Sequence, residues 1–308
     1  MTRSVEKTRL NVTEKKLSVC KLLALLLAVG TNTVAFGQTD AGYKRAQALV
    51  KAGHHDQAAK ILSEMVRRDP KNISLLLDLG EVHINDMSDM AGAHIKAEKC
   101  FKQAVKIDPQ SGRAYRLLSE WAIAEGKYDY AIATASRSVT AQKPDHRGYL
   151  ARATAYENQH KEKEALADLD KYLTREQDKK AFKRRASILE KLHMYARALA
   201  DYRRIQKDSK DGDAALREAI CLEKLNKNEE SIARLDTLLK DSPEDDAALE
   251  ARGTARAKLG QLHEAVQDYS KAIELLPTAS LYRLRASIYE KMGRKDLATK
   301  DRKEAERI

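Results

Sequence analysis

The stretch AALEARGTARAKLGQLHEAVQDYSKAIELLP, residues 247–277, carries the pattern from which most of this chain is built. Its apolar and small residues recur at three- and four-residue spacings in 249–257 and again in 265–273, which predicts two amphipathic helices. Gly260 lies between them, where glycine can take the left-handed conformation that ends a helix, and Pro277 closes the second helix. A helix pair of this size cannot bury its apolar stripe alone, so it needs a copy on each side.

Such copies recur every 33 or 34 residues from Asp40 onward, with one longer spacing of 39. They can be counted by the small residue at the tightest point of the second helix. These residues are Ala58, Ala97, Ala131, Ala165, Ala198, Ser231, Ala265 and Ala298. Eight repeats and about sixteen helices follow, so the predicted fold class is all-α.

Turn residues and helix breakers fall where this division requires them. The five prolines lie at junctions between repeats, where the loss of a helix hydrogen bond does no harm. They are Pro70, Pro109, Pro144, Pro243 and Pro277. The turn within a repeat is predicted at Gly53, Gly126, Gly260 and Gly293, with histidine in the same place at His160 and His193. At junctions without proline, Asp178 and Asp211 are predicted to cap the next helix.

The repeat carries Leu249, Gly253, Gly260, Ala265, Tyr269, Ala272 and Pro277 at the positions of a known 34-residue pattern. In these residues it resembles the tetratricopeptide repeat family. The resemblance implies a right-handed α-solenoid of about eight helix-turn-helix repeats over residues 38–308. It also implies a non-enzymatic scaffold or adaptor, whose first helices line a concave groove that binds a protein or peptide.

The family pattern also implies which residues face that groove. Partners of the family usually bind to residues early in the first helices. In this chain those positions carry Arg113, Arg116, Arg147, Leu150, Lys180, Lys183, Arg184 and Arg217. The resemblance therefore implies a basic groove and a partner with an acidic face or tail. The alternative is an ordinary solvated face, because 33% of all residues are charged.

The family's chaperone-tail binders use a clamp of asparagines on successive first helices. Glu120, Thr154 and Ser187 occupy the matching positions here, so that specificity is not implied.

The first 37 residues follow a different pattern. Six Lys and Arg residues precede or flank an uncharged apolar run that begins with Leu22–Val29. Ala35 and Gly37 then place small residues at the positions before a cut at Gln38, which is typical of a secretory signal peptide. An uncleaved anchor is the rival interpretation, but the run is shorter than the roughly 20 apolar residues of a spanning helix. We expect an exported protein, periplasmic or secreted, without a membrane span after cleavage.

Removal of this leader takes away six Lys and Arg and two Glu residues, which lowers the net charge from +11 to +7. A basic protein is a candidate for nucleic-acid binding, but an exported chain seldom meets nucleic acid. Aromatic residues, which stack on bases, make up only 5% of the chain. Nucleic acid is therefore not expected as a partner.

Charged residues show a second regularity. In four repeats an Arg on the first helix is followed sixteen residues later by an Asp on the second, and in the sixth repeat the signs are exchanged. The pairs are Arg152 and Asp168, Arg185 and Asp201, Glu218 and Arg234, Arg252 and Asp268, and Arg285 and Asp301. Because the charges change sign together, we predict that each pair touches within its repeat. Contact between these same positions in successive repeats would set like charges together. The alternative is a ladder of charges facing a ligand.

The spacing of 39 marks an insertion within residues 84–96, predicted to be a solvated loop. His83, Asp86, Asp89 and His94 lie in or beside it but lack a closed pattern of metal ligands. Met87 or Met90 is a candidate contact with a partner.

Nothing else in the sequence indicates chemistry. Cys100 and Cys221 are predicted to be small buried residues without a disulfide, and Trp121 is predicted to lie in the core. There is no nucleophile elbow, zinc-protease helix or Gly-rich phosphate loop, so no catalytic residue, cofactor or metal is expected. Two alternatives to the scaffold remain open, a cell-envelope assembly or glycan-associated structural factor, and a non-catalytic subunit of an enzyme complex.

Overall fold

The computed structural model describes residues 41–85, 90–207 and 211–308. These residues form sixteen α-helices and no strand, apart from an isolated bridge between Ser111 and Lys143. The helices are α1 (41–51), α2 (His55–Arg68), α3 (Ile73–Ile84), α4 (Met90–Ile107), α5 (Gly112–Ala124), α6 (Tyr128–Thr140), α7 (Gly148–Asn158), α8 (Glu162–Tyr172), α9 (Lys179–Lys191), α10 (Tyr195–Gln206), α11 (Gly212–Lys224), α12 (Asn228–Asp241), α13 (Asp246–Lys258), α14 (Leu262–Leu275), α15 (Ala279–Lys291) and α16 (Lys295–Arg307). The all-α prediction of helix-turn-helix repeats is confirmed. The predicted leader, 1–37, lies outside the described residues.

The turns within the repeats have the predicted left-handed backbone. Gly260, between α13 and α14, has a φ of +76°, which glycine adopts without steric cost. His160 and His193 take the same conformation with φ of 55° and 57°. Asn226 does so in the sixth repeat with φ of 60°. The five prolines all lie outside helices.

The predicted caps between repeats are also present. Asp178 Oδ1 accepts hydrogen bonds from the backbone N–H groups of Lys180 and Ala181, at 2.8 and 3.2 Å. Asp211 Oδ1 accepts one from Ala214 at 3.0 Å. Each aspartate thus satisfies donors that have no partner inside the first turn of its helix.

The described chain divides into two compact units, of which unit 1 ends at Ala151 and unit 2 runs from Arg152 to Ile308. In both units the predicted small residues of the second helices are at most 2% exposed. A small residue on the first helix also accommodates an aromatic ring of the second. A Cβ on Gly253 would come within 2.9 Å of the Tyr269 ring, and one on Gly80 would overlap Phe101. Close packing of this kind stabilises each repeat.

Ion pairs link the two helices of each repeat in unit 2, as the sixteen-residue pattern predicts. Arg185 donates to both carboxylate oxygens of Asp201, at 2.8 and 2.6 Å. The equivalent two-pronged contacts join Arg152 to Asp168, Arg252 to Asp268, and Arg285 to Asp301. In the sixth repeat Arg234 donates to Glu218 at 2.9 Å. The four aspartates are 3–4% exposed, so these are buried links between helices, and the prediction of contact within a repeat is confirmed.

The same first-helix charges also reach the preceding repeat, a contact that the sixteen-residue pattern does not predict. Arg185 Nη1 donates to Asp170 at 2.8 Å, and Arg252 Nη1 donates to Asp236 at 2.6 Å. Arg285 Nη1 donates to the Ser270 hydroxyl at 2.9 Å. In the sixth repeat, where the signs are exchanged, Arg203 donates to Glu218 at 3.1 Å. Each of these partners lies two residues after the residue by which its own second helix joins the ion pair within its repeat. The first-helix residue of the sixth repeat is acidic instead of basic, and its partner in the fifth repeat is correspondingly basic instead of acidic.

The described C-terminal part of the insertion is not the loop that the sequence predicted. This part, from Met90 onward, belongs to α4, an 18-residue helix. His94 and Lys96 therefore lie on a helix because the extra residues extend its N-terminal end. His94 Nδ1 lies 2.6 Å from Glu125 Oε1, and Trp121 Nε1 donates to the His94 carbonyl at 3.1 Å. Trp121 is 3% exposed, which confirms it as a core residue. Residues 86–89, with Asp86, Met87 and Asp89, lie outside the described residues.

Both described cysteines are free thiols. Cys221 is buried, as predicted, whereas Cys100 is half-buried. Burial raises the pKa of Cys100 to about 11 and that of Cys221 to about 12. Both groups are therefore protonated and weakly nucleophilic at neutral pH. Within the described ranges, no helix combines the length and apolarity that crossing a membrane requires.

Candidate partner-binding surface

The term first-helix face is used for each unit separately: in unit 1 it is the surface formed by α1, α3 and α5, and in unit 2 the surface formed by α9, α11, α13 and α15. In unit 1, Arg113 of α5 reaches α3. In unit 2, α11 contacts α13 directly. All of the sequence-predicted groove residues belong to first helices or to the turns that precede them.

A cleft of about 420 Å³ opens between α1 and α3 in unit 1. Ala46, Val50, Leu62 and Val82 supply its apolar lining. Tyr43 and Asp78 border it, and the Tyr43 hydroxyl donates to Asp78 Oδ2 at 2.6 Å. That hydrogen bond, together with burial, raises the pKa of Tyr43, so the phenol stays a donor at physiological pH.

Arg113, one of the predicted groove residues, is paired with acidic residues of α3. Its Nη2 donates to Asp78 Oδ1 at 2.7 Å and to Glu81 Oε2 at 2.6 Å. Its charge is therefore balanced within the first-helix face.

Arg116 lies in the interior and is 7% exposed. Its guanidinium donates to Asp145 and to Glu120, each at 2.7 Å. It links α5 to the segment before α7, so it is not available to a partner in this structure.

Arg147 is exposed, and the described residues offer its side chain no ion pair. Leu150 is half-buried.

In unit 2 the structure brings two predicted cations together through one shared carboxylate. Lys183 Nζ lies 2.7 Å from Asp213 Oδ2, and Arg217 Nε lies 3.8 Å from Asp213 Oδ1. Arg184 donates to Glu157 and to the Thr154 hydroxyl, each at 2.8 Å. Lys180 is exposed.

Most of the predicted cations on the first helices are thus paired with carboxylates, so they do not form a run of unpaired positive charges. Glu157 and Glu190, at the ends of α7 and α9, were missed by the sequence analysis, although glutamate recurs there every 33 residues at Glu157, Glu190 and Glu223. Binding of an acidic partner by the predicted cations stays a prediction.

A second cleft, of about 280 Å³, opens between α11 and α13 in unit 2. Its lining residues are Ile220, Glu223, Lys224, Ala247, Glu250, Ala251 and Thr254. Burial raises the pKa of Glu250, and the nearby Asp246 raises it further. This cleft is therefore rich in carboxylates, in contrast to the basic groove that the sequence predicted.

Comparison with known proteins supports the assignment of the repeats. A family model described as tetratricopeptide repeat matches residues 43–93 and 216–280. Superkiller complex protein 3 of Mus musculus is 33% identical over 113 residues, which are 36% of this chain and only 7% of that relative.

Two solved structures resemble the chain over most of its length. PilW, a widely conserved type IV pilus biogenesis factor, has a TM-score of 0.54 and 17% identity, and the match covers 68% of this chain and 96% of PilW. Pseudomonas aeruginosa pilF has a TM-score of 0.55 and 15% identity, and the match covers 69% of this chain and 95% of pilF. At such identities the similarity concerns the fold alone.

Proposed function

Because the chain is built of tetratricopeptide repeats, we propose that it is a non-catalytic scaffold that holds a segment of a partner protein on its first-helix face. The observation that carries this proposal is the position of the two clefts. One opens between α1 and α3, the other between α11 and α13, so both lie between successive first helices. A partly apolar cleft bordered by a few polar groups is the usual form of a binding site.

The buried charges support a scaffold instead of an enzyme. Asp168, Asp201, Asp268 and Asp301 each accept two hydrogen bonds from an arginine of the paired helix. Such two-pronged contacts fix the orientation of both partners. The buried carboxylates are therefore committed to helix packing, which keeps the first-helix face rigid for a partner.

The pairing of the predicted cations bears on the chemistry of the partner. Arg113, Arg184 and Arg217 already contact carboxylates of neighbouring first helices. An acidic ligand would have to compete with those carboxylates for each guanidinium. An acidic partner therefore gains little from this face beyond the exposed Arg147 and Lys180.

Export is part of the proposal and rests on the sequence of residues 1–37. If this leader directs secretion, the partner is a protein of the periplasm or the cell exterior. The second candidate function, a cell-envelope assembly or glycan-associated factor, is favoured by the same leader. The similarity to PilW agrees with that candidate at the level of the fold.

Affinity capture from the exported fraction, followed by mapping of the contact, tests the proposal. We expect one discrete protein to be retained by the full chain. Lys180→Glu and Arg217→Glu, both at exposed first-helix positions, should reduce its capture. Ala233→Glu on the exposed side of α12 is the matched control and should not. Retention on cell-wall polysaccharide with no protein partner would favour the envelope factor, and equal capture by all variants would contradict the proposed surface.

A further inference from the structure

Two successive repeats of unit 2 hold a glutamate of one first helix against an arginine of the next. Arg184 donates to Glu157 through Nη2 at 2.8 Å and through Nε at 3.2 Å. Arg217 Nη1 lies 3.6 Å from Glu190, which also accepts a hydrogen bond from the Tyr202 hydroxyl. In both repeats the guanidinium thus fills the space between consecutive first helices.

The third glutamate of this series, Glu223, lacks both kinds of partner. Ala251 stands where the preceding repeats have Arg184 and Arg217, and Leu235 stands where the fifth repeat has Tyr202. Glu223 is nevertheless 5% exposed. Its Oε1 has Lys258 Nζ in ion-pair contact but no hydrogen bond of acceptable geometry, and Lys224 Nζ lies 3.3 Å from Oε2. Glu223 thus contacts two partly exposed lysines, where Glu157 and Glu190 contact an arginine of the next first helix.

The missing arginine leaves the cleft between α11 and α13. Glu223 lines it together with Ala251 itself. At about 280 Å³ the cleft is slightly smaller than the usual ligand pocket of about 300–1,000 Å³, a size that suits one side chain. Ile220 and Ala247 supply apolar lining for an aliphatic stem, and Glu250 has no ion pair among the described residues.

Charge balance at the cleft favours a cation. Glu223 and Glu250 line the cleft and Asp246 lies near Glu250, against two ammonium groups that contact Glu223. The ammonium groups belong to Lys224 and Lys258, whose side chains are 47% and 40% exposed. One further positive charge would balance the set. A guanidinium suits the site better than an ammonium, because its planar fork can bond to a carboxylate at two points and is more weakly hydrated.

We propose that the cleft between α11 and α13 binds the guanidinium of an arginine from a partner protein, in the place that Arg184 and Arg217 fill within the chain. The inference rests on the proposed function and deepens it, since it names the chemistry of one residue of the bound segment. The arginine stem packs against Ile220 and Ala247, and the head group bonds to Glu223 and Glu250.

Titration of the full chain with short peptides tests this inference. The probes are acetyl-Gly-Ala-Arg-Ala-Gly-amide and the same peptide with citrulline, which keeps the shape but has no charge. Methyl NMR of labelled alanines should show saturable shifts at Ala247 and Ala251 with the arginine peptide. The citrulline peptide should bind at least tenfold more weakly.

Two variants and a control complete the experiment. Ala251→Arg should fill the cleft from within and abolish binding, whereas Ala233→Arg adds the same charge on α12 and should leave binding unchanged. Glu223→Gln keeps the shape of the site and should weaken binding at least tenfold, so the inference remains testable should Ala251→Arg fail to fold. Equal binding of the citrulline peptide, or unchanged binding by Ala251→Arg or Glu223→Gln, would overturn it.

Failure of this inference is distinguishable from failure of the proposed function. If a captured partner depends on the first-helix face but is insensitive to Ala251→Arg, the scaffold stands and the arginine site is wrong. If the partner depends on neither, while the arginine peptide still binds as expected, the cleft exists but the proposed function fails.

Discussion

Arg234 donates to Glu218 across 2.9 Å, with the arginine on the second helix and the carboxylate on the first. In the flanking repeats of unit 2 the same positions carry the opposite arrangement, as in Arg252 and Asp268. The contact is preserved while the charges are exchanged. Position and geometry, more than the identity of either residue, therefore define this link between the paired helices.

The Arg252–Asp268 link should couple the two helices of the seventh repeat. Asp268 is 3% exposed and also accepts a hydrogen bond from Arg256 at 2.7 Å. A buried pair that loses one partner usually costs about 3–5 kcal/mol, but Arg256 remains to neutralise Asp268. We therefore expect Arg252→Ala to lower the free energy of unfolding by about 1–3 kcal/mol, as measured by urea unfolding.

A double-mutant cycle with Asp268→Ala should give a coupling energy above about 0.5 kcal/mol. Arg307 and Glu304, an exposed pair three residues apart at the end of α16, provide the control, whose coupling should stay below about 0.5 kcal/mol. Absence of coupling between Arg252 and Asp268 would show that the link contributes nothing to folding.

The sixth repeat should accept the polarity of its neighbours only when three residues change together. Glu218→Arg with Arg234→Asp alone would place the new arginine beside Arg203, which now bonds to Glu218. We expect that double variant to have a lower urea midpoint than the wild type. Addition of Arg203→Asp should restore most of the lost stability, because Asp170 and Asp236 occupy the equivalent positions in the fourth and sixth repeats. A double variant as stable as the wild type would exclude a role for Arg203.

Repetition explains how much of this structure is predictable. The period, the turns and the Arg–Asp links recur several times in one chain, so agreement among the repeats supports each of these predictions. The contacts that Asp170 and Asp236 make with the next repeat recur as well. They lie outside the sixteen-residue pairs, so a comparison of those pairs alone does not reveal them. Arg116 was assigned to the surface from its place early in a first helix, and its ion pairs with Asp145 and Glu120, which accompany its burial, were not anticipated. The lack of an arginine at position 251 becomes meaningful only when the structure shows that Arg184 and Arg217, at the equivalent positions of earlier repeats, contact glutamates.

Glu250 should make the protein less stable as its carboxyl group ionises. Burial raises its pKa in the folded state, so the folded chain binds this proton more tightly than the unfolded chain. The contribution of Glu250 to stability is thus full at low pH and is lost as the pH rises through the folded-state pKa. We expect Glu250→Gln to have a higher Tm than the wild type at pH 7. The difference should shrink as the pH falls through the folded-state pKa and should be absent below about pH 4.3, the pKa of an unperturbed glutamate.

An exposed glutamate whose pKa is shifted in the opposite direction serves as the control. The hydrogen bond from Lys227 lowers the pKa of Glu230, so its contribution is present at neutral pH and is lost on acidification. Glu230→Gln should therefore have a slightly lower Tm at pH 7. A Glu250→Gln variant that is less stable than the wild type at pH 7 would contradict the assignment.

The leader predicted from residues 1–37 should be absent from the native protein. We expect intact-mass measurement of material from the producing cell to give a chain beginning at or near Gln38. A variant with Arg in place of Leu25 interrupts the apolar run and should accumulate uncleaved. Native protein that retains all 37 residues would exclude cleavage.

Site-specific photo-crosslinking reports which face of the repeats touches the partner. The crosslinker is placed at exposed Ala247 of α13, beside the cleft, and at exposed Ala233 of α12 as the control. We expect the captured partner to be crosslinked from position 247 and not from position 233. A crosslink from position 233 with none from position 247 would contradict a partner bound on the first-helix face.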